Sequence, residues 1–415
     1  MRRRVLISTH TARRRARRYA EAGKRKATPG NRDVNDMIRD EMSDDVKVRQ
    51  EEETPGEELE EAAPRSGWHL AGNIFVLLWL GVGLYYLVPK FIGDQAMLDV
   101  IKNANFLLIP VALAIETLSM LFICRLYYEV LKMGGGGLSF SRMSLIYMSA
   151  YAFGHVVPGG NAGTLYLNYR EMRREGISRG LTVKTLFVSY IVYSAAMIAL
   201  LAAGLLLSLF SGRLPFTYNV TAIAIAAGAI LFMCLCVYIV RRPPVMRRIA
   251  TGLLRVAHRL HIMRGVEEAE VDERVMDMND YLLSIFANRN NLLRAGTYGM
   301  GFWLMDMLCL YTVFVAIGHP INPGILLVCY TIADILGSLP LTPAGLGIFE
   351  VSLGATLYAF GYQKEILATA ILGFRFFSFW LCTLAGGVCY LVLRLQRRRE
   401  SQRAEEGRDA WHAVL

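Results

Sequence analysis

Long apolar segments alternate with short polar ones from residue 70 to residue 393. Six of these segments run for about 20 residues with few charges, which is the length a helix needs to cross a bilayer. The pattern predicts spanning helices at 70–88, 106–130, 181–210, 220–240, 295–317 and 366–393. The chain is therefore predicted to be an all-α polytopic membrane protein.

Two further apolar segments are interrupted by residues that break helices. The first, 154–163, contains Pro158, Gly159, Gly160 and Gly163, and the second, 339–350, contains Pro340, Pro343, Gly345 and Gly347. Proline removes a backbone donor, and glycine lets the chain turn freely. Backbone groups freed in lipid must be satisfied by protein or by a water-filled cavity. We therefore predict two broken helices that line a cavity, although two unrelated loops between ordinary helices remain an alternative.

Basic residues collect in the two tails, near Lys132 and Arg142, at 170–174 and in the loop 241–293. The positive-inside rule predicts that these segments, including both termini, lie in the cytoplasm. This orientation is consistent only if each broken segment enters and leaves on one side of the membrane. Both are therefore predicted to be re-entrant hairpins.

The chain also divides into two similar halves, 68–212 and 213–395. Each half reads as two spans, a broken hairpin and a third span, and Glu116 in the first half matches Asp306 in the second. Three crossings per half is an odd number, so the halves are expected to be inverted relative to each other. Inverted repeats with a site at their interface are typical of several transporter folds.

Composition assigns roles to the remaining segments. The chain is 54% hydrophobic with a net charge of +10, and that charge is concentrated outside the apolar segments. Residues 1–65 are basic and then acidic, which predicts a disordered cytoplasmic tail. The loop 241–293 includes an amphipathic stretch expected on the membrane surface, and 396–415 is expected to be a second cytoplasmic tail. Anionic lipid is the expected partner of the basic residues, rather than nucleic acid.

Enzyme and metal-binding signatures are missing from the sequence. All seven cysteines lie in apolar segments without the spacing of a zinc site, and no phosphate loop, nucleophile elbow or dinucleotide fingerprint occurs. We therefore expect no catalytic residues, no metal and no cofactor.

The two broken motifs resemble a known family. Pro158-Gly159-Gly160 with Gly163 and Arg170, and residues 339–350 followed by Arg375, are similar to motifs of the lysylphosphatidylglycerol synthase transmembrane region. Two positions differ, because relatives often carry arginine where Tyr190 stands and glycine where Ala344 stands. The resemblance implies a plasma-membrane protein that moves an anionic or aminoacylated lipid. It does not imply lipid synthesis, since 396–415 is too short for a catalytic domain.

Ionisable residues within the apolar segments are candidates for function. Such residues cost about 2.5–3.5 kcal/mol each to insert and are functional by default. The candidates for binding a lipid phosphate are Pro158, Gly159, Gly160, Gly163, Arg170, Pro343, Gly345, Gly347, Glu350 and Arg375. Glu116 and Asp306 are expected as buried ionisable groups of the same cavity. Arg375 and Glu350 are expected to pair, which leaves a purely structural ion pair as an alternative. The glycines have the alternative role of allowing close helix packing.

The sequence predicts a lipid flippase that handles an anionic, aminoacylated or polyprenyl-phosphate-linked lipid. Two alternatives remain: an enzyme or membrane subunit of lipid glycosyl or aminoacyl transfer, and a non-catalytic membrane partner for other proteins. Membrane lipids are the expected partners. A homo-oligomer and a separate synthase partner both remain open.

Overall fold

The computed structural model describes residues 95–157, 161–210, 268–338 and 342–412, with isolated positions between 227 and 252. All of them belong to one compact unit, Phe75–Leu415. The predicted tail 1–65, the predicted span 70–88 and most of the span 220–240 lie outside the described residues, as do Pro158, Gly159 and Gly160.

The described part of the chain is helical and contains no strand. Its α-helices are α1 Gln95–Lys102, α2 Ile109–Met133, α3 Phe140–Val156, α4 Asn161–Arg174, α5 Arg179–Phe210, α6 Glu268–Ala287, α7 Arg289–Ala316, α8 Pro323–Gly337, α9 Ile348–Ala359, α10 Lys364–Arg375 and α11 Cys382–His412. Short 3-10 turns precede α2 at Phe106–Leu108 and α9 at Pro343–Gly345. A π-helical segment, Phe376–Leu381, joins α10 to α11.

Four helical segments of the described chain are long and apolar enough to cross a membrane. They are Phe106–Met133, Arg179–Ser208, Arg289–Ala316 and Lys364–Arg399. Each coincides with one of the predicted spans, so those four predictions are confirmed. The predicted class, a helical membrane protein, is also confirmed.

Polar caps explain where several helices begin. Ser139 accepts a hydrogen bond from the amide of Arg142 at the start of α3. Asn288 and Asn322 accept from first-turn amides of α7 and α8, respectively. Such caps satisfy amides that lack a partner within the helix. The short polar segments between apolar runs therefore set the helix boundaries.

The helices α2 and α7, which carry Glu116 and Asp306, pack against each other at the centre. Ser119 of α2 donates a buried hydrogen bond to the carbonyl of Phe302 in α7. Trp303 of α7 donates through Nε1 to the carbonyl of Tyr193 in α5 at 2.9 Å. These bonds fix the register of the three helices.

The helix α6 lies outside the candidate spans and docks on the end of α2. Tyr281 of α6 donates its hydroxyl to the carbonyl of Val130 at 2.8 Å. Burial raises the pKa of Tyr281 to about 12, so this hydroxyl keeps its proton and remains a donor at neutral pH. The second half of the predicted loop 241–293 is therefore an ordered helix.

Each broken segment is flanked by two helices that pack against each other. In the first, α3 packs on α4, and in the second, α8 packs on α9. The helices α8 and α9 are apolar but have only 15 and 12 residues, fewer than the roughly 20 needed to span. The predicted interruption of the second segment is confirmed by the non-helical backbone of Ala344 within its turn.

The last helix approaches α3 closely at Gly386. A Cβ at this position would collide with the carbonyl oxygen of Met148 and would lie 2.7 Å from the Cβ of Ala152. The neighbouring Gly387 has open space around its Cβ position. Gly386 therefore sets the distance between α3 and α11.

We predict that Gly386→Ala lowers the free energy of unfolding by about 1–3 kcal/mol, because it overpacks this contact. Gly387→Ala is the matched control and should be neutral or stabilising by up to about 1 kcal/mol, since alanine favours the helix. Thermal unfolding in detergent measures both. Equal stability of the two variants would contradict the packing role of Gly386.

Candidate functional site

A cavity of about 560 Å³ lies between the two broken segments. Its walls come from both of them and from α5, α7 and the last span. The polar residues around it are His155, Asn161, Thr164, Ser194, Asp306, Asp334, Ser338, Thr342, Arg375 and Ser378, with Tyr151, Tyr190 and Tyr193. A cavity of this volume is within the range of small-molecule sites. The prediction that the broken helices line a cavity is confirmed for the part of each segment that the structure describes.

Arg375 is the basic side chain of this wall. Its Nε donates to Oε1 of Glu350 at 2.6 Å, and its guanidinium carbon lies 4.0 Å from the ring centre of Phe349. The hydrogen bonds of the described residues leave its two terminal nitrogens, Nη1 and Nη2, without an acceptor. The side chain is 13% exposed and lines the cavity.

Glu350 fastens the second break to the last span. Its other oxygen, Oε2, accepts the amide of Gly347 at 2.6 Å, at the N-terminus of α9. One carboxylate thus caps a helix and holds Arg375 at the same time. The predicted pairing of Arg375 with Glu350 is observed. Glu350 and Gly347 lie behind the wall, whereas Arg375 and Gly345 form part of it.

The backbone amides of Gly345 and Gly347, in the second break, are bonded within the protein. The amide of Gly345 donates to the carbonyl of Thr342, and the amide of Gly347 is taken by Glu350. The negative charge of Glu350 also offsets the positive end of the α9 dipole. On this side of the cavity Arg375, rather than a free backbone amide, is therefore the group that could meet an anion.

Gly345 is required for packing as well. It has φ +66°, and a Cβ there would collide with the backbone carbonyl of Gly337. Gly345 was predicted to help bind a lipid phosphate, with close packing as the alternative. The crowding in the structure comes from the protein's own backbone, so a bulky residue at 345 would displace the turn itself.

Two aspartates and a set of aromatic rings form the rest of the wall. Asp306 of α7 accepts a short hydrogen bond from the hydroxyl of Tyr330, and Asp334 lies one turn after Tyr330 on α8. The rings of Tyr193 and Trp303 lie 4.6 Å apart, and Phe302 packs against both. The cavity thus presents one guanidinium, two carboxyls and a rigid aromatic surface.

Glu116, Gly163 and Pro343 also lie outside the cavity wall. Glu116 is 1% exposed and sits behind Asp306, with the two side chains in direct interaction. A Cβ added to Gly163 would lie 3.4 Å from the Cα of Gly154, so this glycine allows α3 and α4 to approach. Pro343 begins the turn of the second break. Glu116 is therefore buried as predicted, and Gly163 has a packing role.

Arg170 belongs to a different cluster, formed by the start of α3, the end of α4 and the middle of α11. It pairs with Glu171 at 3.1 Å, and Arg397 also pairs with that buried carboxylate. Arg142 pairs with Glu175 at 2.6 Å. These ion pairs tie the first broken segment to the last helix. The structure does not place Arg170 among the residues that line the cavity.

The aromatic wall, Asp334, His155 and Asn161 line the cavity. None of them was among the predicted site residues. A signal was available, because Tyr330 and Asp334 are four residues apart and so share a helix face. Phe302 and Trp303 likewise precede Asp306 by four and three residues. Spacing shows that such residues share a face, but it does not show whether that face meets lipid, core or cavity.

The family model for the lysylphosphatidylglycerol synthase TM region matches residues 73–386. The chain belongs to this family. The match includes both broken segments, Glu116, Asp306 and Arg375. The resemblance inferred from the two motifs is therefore confirmed.

Several relatives are known only as UPF0104 membrane proteins. One from Methanothermobacter thermautotrophicus is 21% identical over 321 residues, which is 75% of this chain and 91% of that protein. Another match in that organism is 33% identical over 91 residues, covering 27% of the relative. One in Pyrococcus horikoshii is 25% identical over 134 residues, covering 40% of the relative. These last two matches thus span less than half of the relatives concerned.

Ala344 adopts a left-handed backbone conformation, with φ 51°. This conformation costs a residue with a Cβ roughly 1–2 kcal/mol, whereas glycine adopts it freely. We predict that Ala344→Gly raises the free energy of unfolding by about 0.5–1 kcal/mol, after the larger unfolded-state entropy of glycine is subtracted. Thermal unfolding in detergent measures the change.

Ala355, exposed on α9, is the matched control for this prediction. Ala355→Gly should lower stability by about 1 kcal/mol, because glycine disfavours a helix interior. Destabilisation by both substitutions would show that the turn at Ala344 carries no strain.

Proposed function

We propose that this protein is a flippase that moves an anionic lipid headgroup through the cavity between its two broken segments. The observation that carries the proposal is Arg375, which lines the cavity while Glu350 and Phe349 hold its guanidinium in place. A charge fixed at membrane depth beside a cavity is typical of a substrate pathway.

The chemistry of the wall suits a phosphate group. Guanidinium nitrogens form charge-assisted hydrogen bonds with phosphate oxygens, and a fixed guanidinium loses little entropy on binding. Asn161, Ala162 and Thr164, at the start of α4, line the same cavity. The positive end of the α4 dipole is therefore directed towards the site, which further favours an anion.

The proposed mechanism includes the predicted inverted repeat and re-entrant hairpins. Glu116 and Asp306, which occupy matching positions of the two halves, interact directly in the structure. Residues on a two-fold axis meet their own counterparts, so this contact supports a pseudo-two-fold axis between α2 and α7. The pairing of the short helices α8 and α9 supports a hairpin that enters and leaves on one side. Rocking of the halves about this axis would expose the cavity alternately to each leaflet.

The proposed location is the plasma membrane with both termini in the cytoplasm. Arg142, Arg170 and Arg397 gather at one end of the described bundle through their contacts with Glu171 and Glu175. The positive-inside rule assigns such an end to the cytoplasm.

The proposed substrate class rests on the family and on the presence of both a basic and two acidic side chains in the cavity wall. Arg375 fits the phosphate, and Asp306 and Asp334 with the aromatic wall fit an amine on the same headgroup. The proposed substrates are an anionic phospholipid, its aminoacylated form and a polyprenyl-phosphate lipid.

We predict that liposomes containing the purified protein transfer fluorescent phosphatidylglycerol between leaflets faster than protein-free liposomes. Arg375→Ala should slow this transfer about tenfold or more, because a hydrogen bond to a charged group contributes about 1.5–3 kcal/mol. Arg375→Lys should have an intermediate rate, since lysine keeps the charge and loses the fork of donors. Accessibility of the label to a membrane-impermeant quencher gives the rate.

Arg294→Ala is the control, because Arg294 is an exposed arginine at the start of α7, and it should transfer lipid at the wild-type rate. Absence of transfer with phosphatidylglycerol, aminoacylated phosphatidylglycerol and polyprenyl phosphate would refute the proposal. Formation of a new lipid product by the purified chain would instead favour the enzyme alternative.

A further inference from the structure

Two carboxyl groups meet at the centre of the bundle in surroundings that disfavour charge. Glu116 is 1% exposed and Asp306 is 7% exposed, and their side chains interact directly. Oε1 of Glu116 receives a weak hydrogen bond from the thiol of Cys382, and Oε2 is buried without a hydrogen-bond partner among the described residues. A buried carboxylate oxygen with no donor is costly unless it carries a proton.

The ionisable groups that face this pair come from every helix packed around it. They are Tyr151 of α3, Tyr193 of α5, Cys309 of α7, Tyr330 and Asp334 of α8, and Arg375 and Cys382 of the last span. The phenols and thiols are neutral donors, and Asp334 adds a third carboxyl. Arg375 is the cation of this group, and its Nε is already bonded to Glu350.

The charge count around the cavity is therefore unbalanced. Four carboxyl groups, on Glu116, Asp306, Asp334 and Glu350, share one guanidinium within the described residues. Two carboxylates in contact cannot both ionise away from water without a large penalty, since like charge and burial act together. An anionic headgroup that entered this cavity would add further negative charge beside the pair.

We propose that Glu116 and Asp306 form a proton-binding site that takes up a proton when an anionic headgroup occupies the cavity. The proton is transferred from hydronium in the solvent to a carboxylate oxygen, so one O–H bond of hydronium breaks, the carboxyl O–H bond forms and water is left. The empty site holds one proton between the two carboxyls. The occupied site holds one more, which offsets the charge of the phosphate on Arg375.

The inference has two halves, a shared proton in the empty site and proton uptake when lipid binds. The second half, the link to lipid, rests on the proposed function. The first half is independent of any substrate. Asp306 lines the cavity and Glu116 lies behind it, so protons reach Glu116 through Asp306. Departure of the lipid into the opposite leaflet would then release the proton, which makes a proton gradient a source of energy for transport.

Infrared spectroscopy of the purified full-length protein tests the first half. A protonated carboxyl has a carbonyl stretch that is resolved from the bands of ionised carboxylates. We expect this band in the wild type at neutral pH and its loss or shift in Glu116→Gln and in Asp306→Asn. Asp99→Asn, which removes an exposed carboxyl, should leave the band unchanged. The idea is overturned if neither central substitution changes the spectrum in this region.

Proton uptake on lipid binding tests the second half. Short-chain phosphatidylglycerol is added to weakly buffered protein with a pH-sensitive dye. Quenching of tryptophan by a brominated form of the same lipid reports binding, because Trp303 lines the cavity. The wild type should take up about one proton per chain, as expected of a carboxyl pair that titrates as a unit. Glu116→Gln should bind the lipid and take up none.

The possible results separate this inference from the proposed function. Binding without proton uptake would overturn the coupling and leave the flippase proposal standing. Absence of both binding and transfer would refute the flippase proposal together with the coupling. The infrared band alone would then test whether Glu116 and Asp306 share a proton.

Discussion

The ion pair between Arg375 and Glu350 is the interaction on which the site depends. A guanidinium at membrane depth requires a fixed partner, and a break in a helix requires something to hold its ends. Glu350 meets both requirements, because one oxygen caps α9 at Gly347 and the other binds Nε of Arg375. The position of the turn and the direction of the guanidinium are thus coupled. A change in either one would be transmitted to the other through a single carboxylate.

The sequence was sufficient to predict the helical class, the four spans that the structure describes and the contact of Arg375 with Glu350. These features follow from local rules, namely the length of apolar runs and the cost of an unpaired charge. The burial of Glu116 beside Asp306 was also accessible, because the two residues occupy matching places in the two halves. The N-terminal tail, the predicted span 70–88 and most of the span 220–240 lie outside the residues that the structure describes.

The composition of the cavity wall was not accessible from sequence. Asp334, Tyr193 and Trp303 lie on three helices that are distant in sequence, and their positions depend on helix rotation rather than on spacing. The roles of the glycines were also ambiguous. Gly345 was predicted either to bind phosphate or to allow close packing, and the structure shows that it lets two backbone segments approach. Arg170 illustrates the same limit, since its motif resembled a site while its side chain joins a network of ion pairs around Glu171.

The π-helical segment Phe376–Leu381 has a consequence for how the last span is used. A π turn accommodates an additional residue within a helix, and one residue corresponds to about 100° of rotation in an α-helix. The part before the segment is oriented by Arg375 towards the cavity, and the part after it is oriented by Gly386 towards α3. The two orientations are set independently by their own neighbours. The last span therefore consists of two helical parts joined by a π turn, and each part keeps the rotation about the helix axis that its own neighbours require.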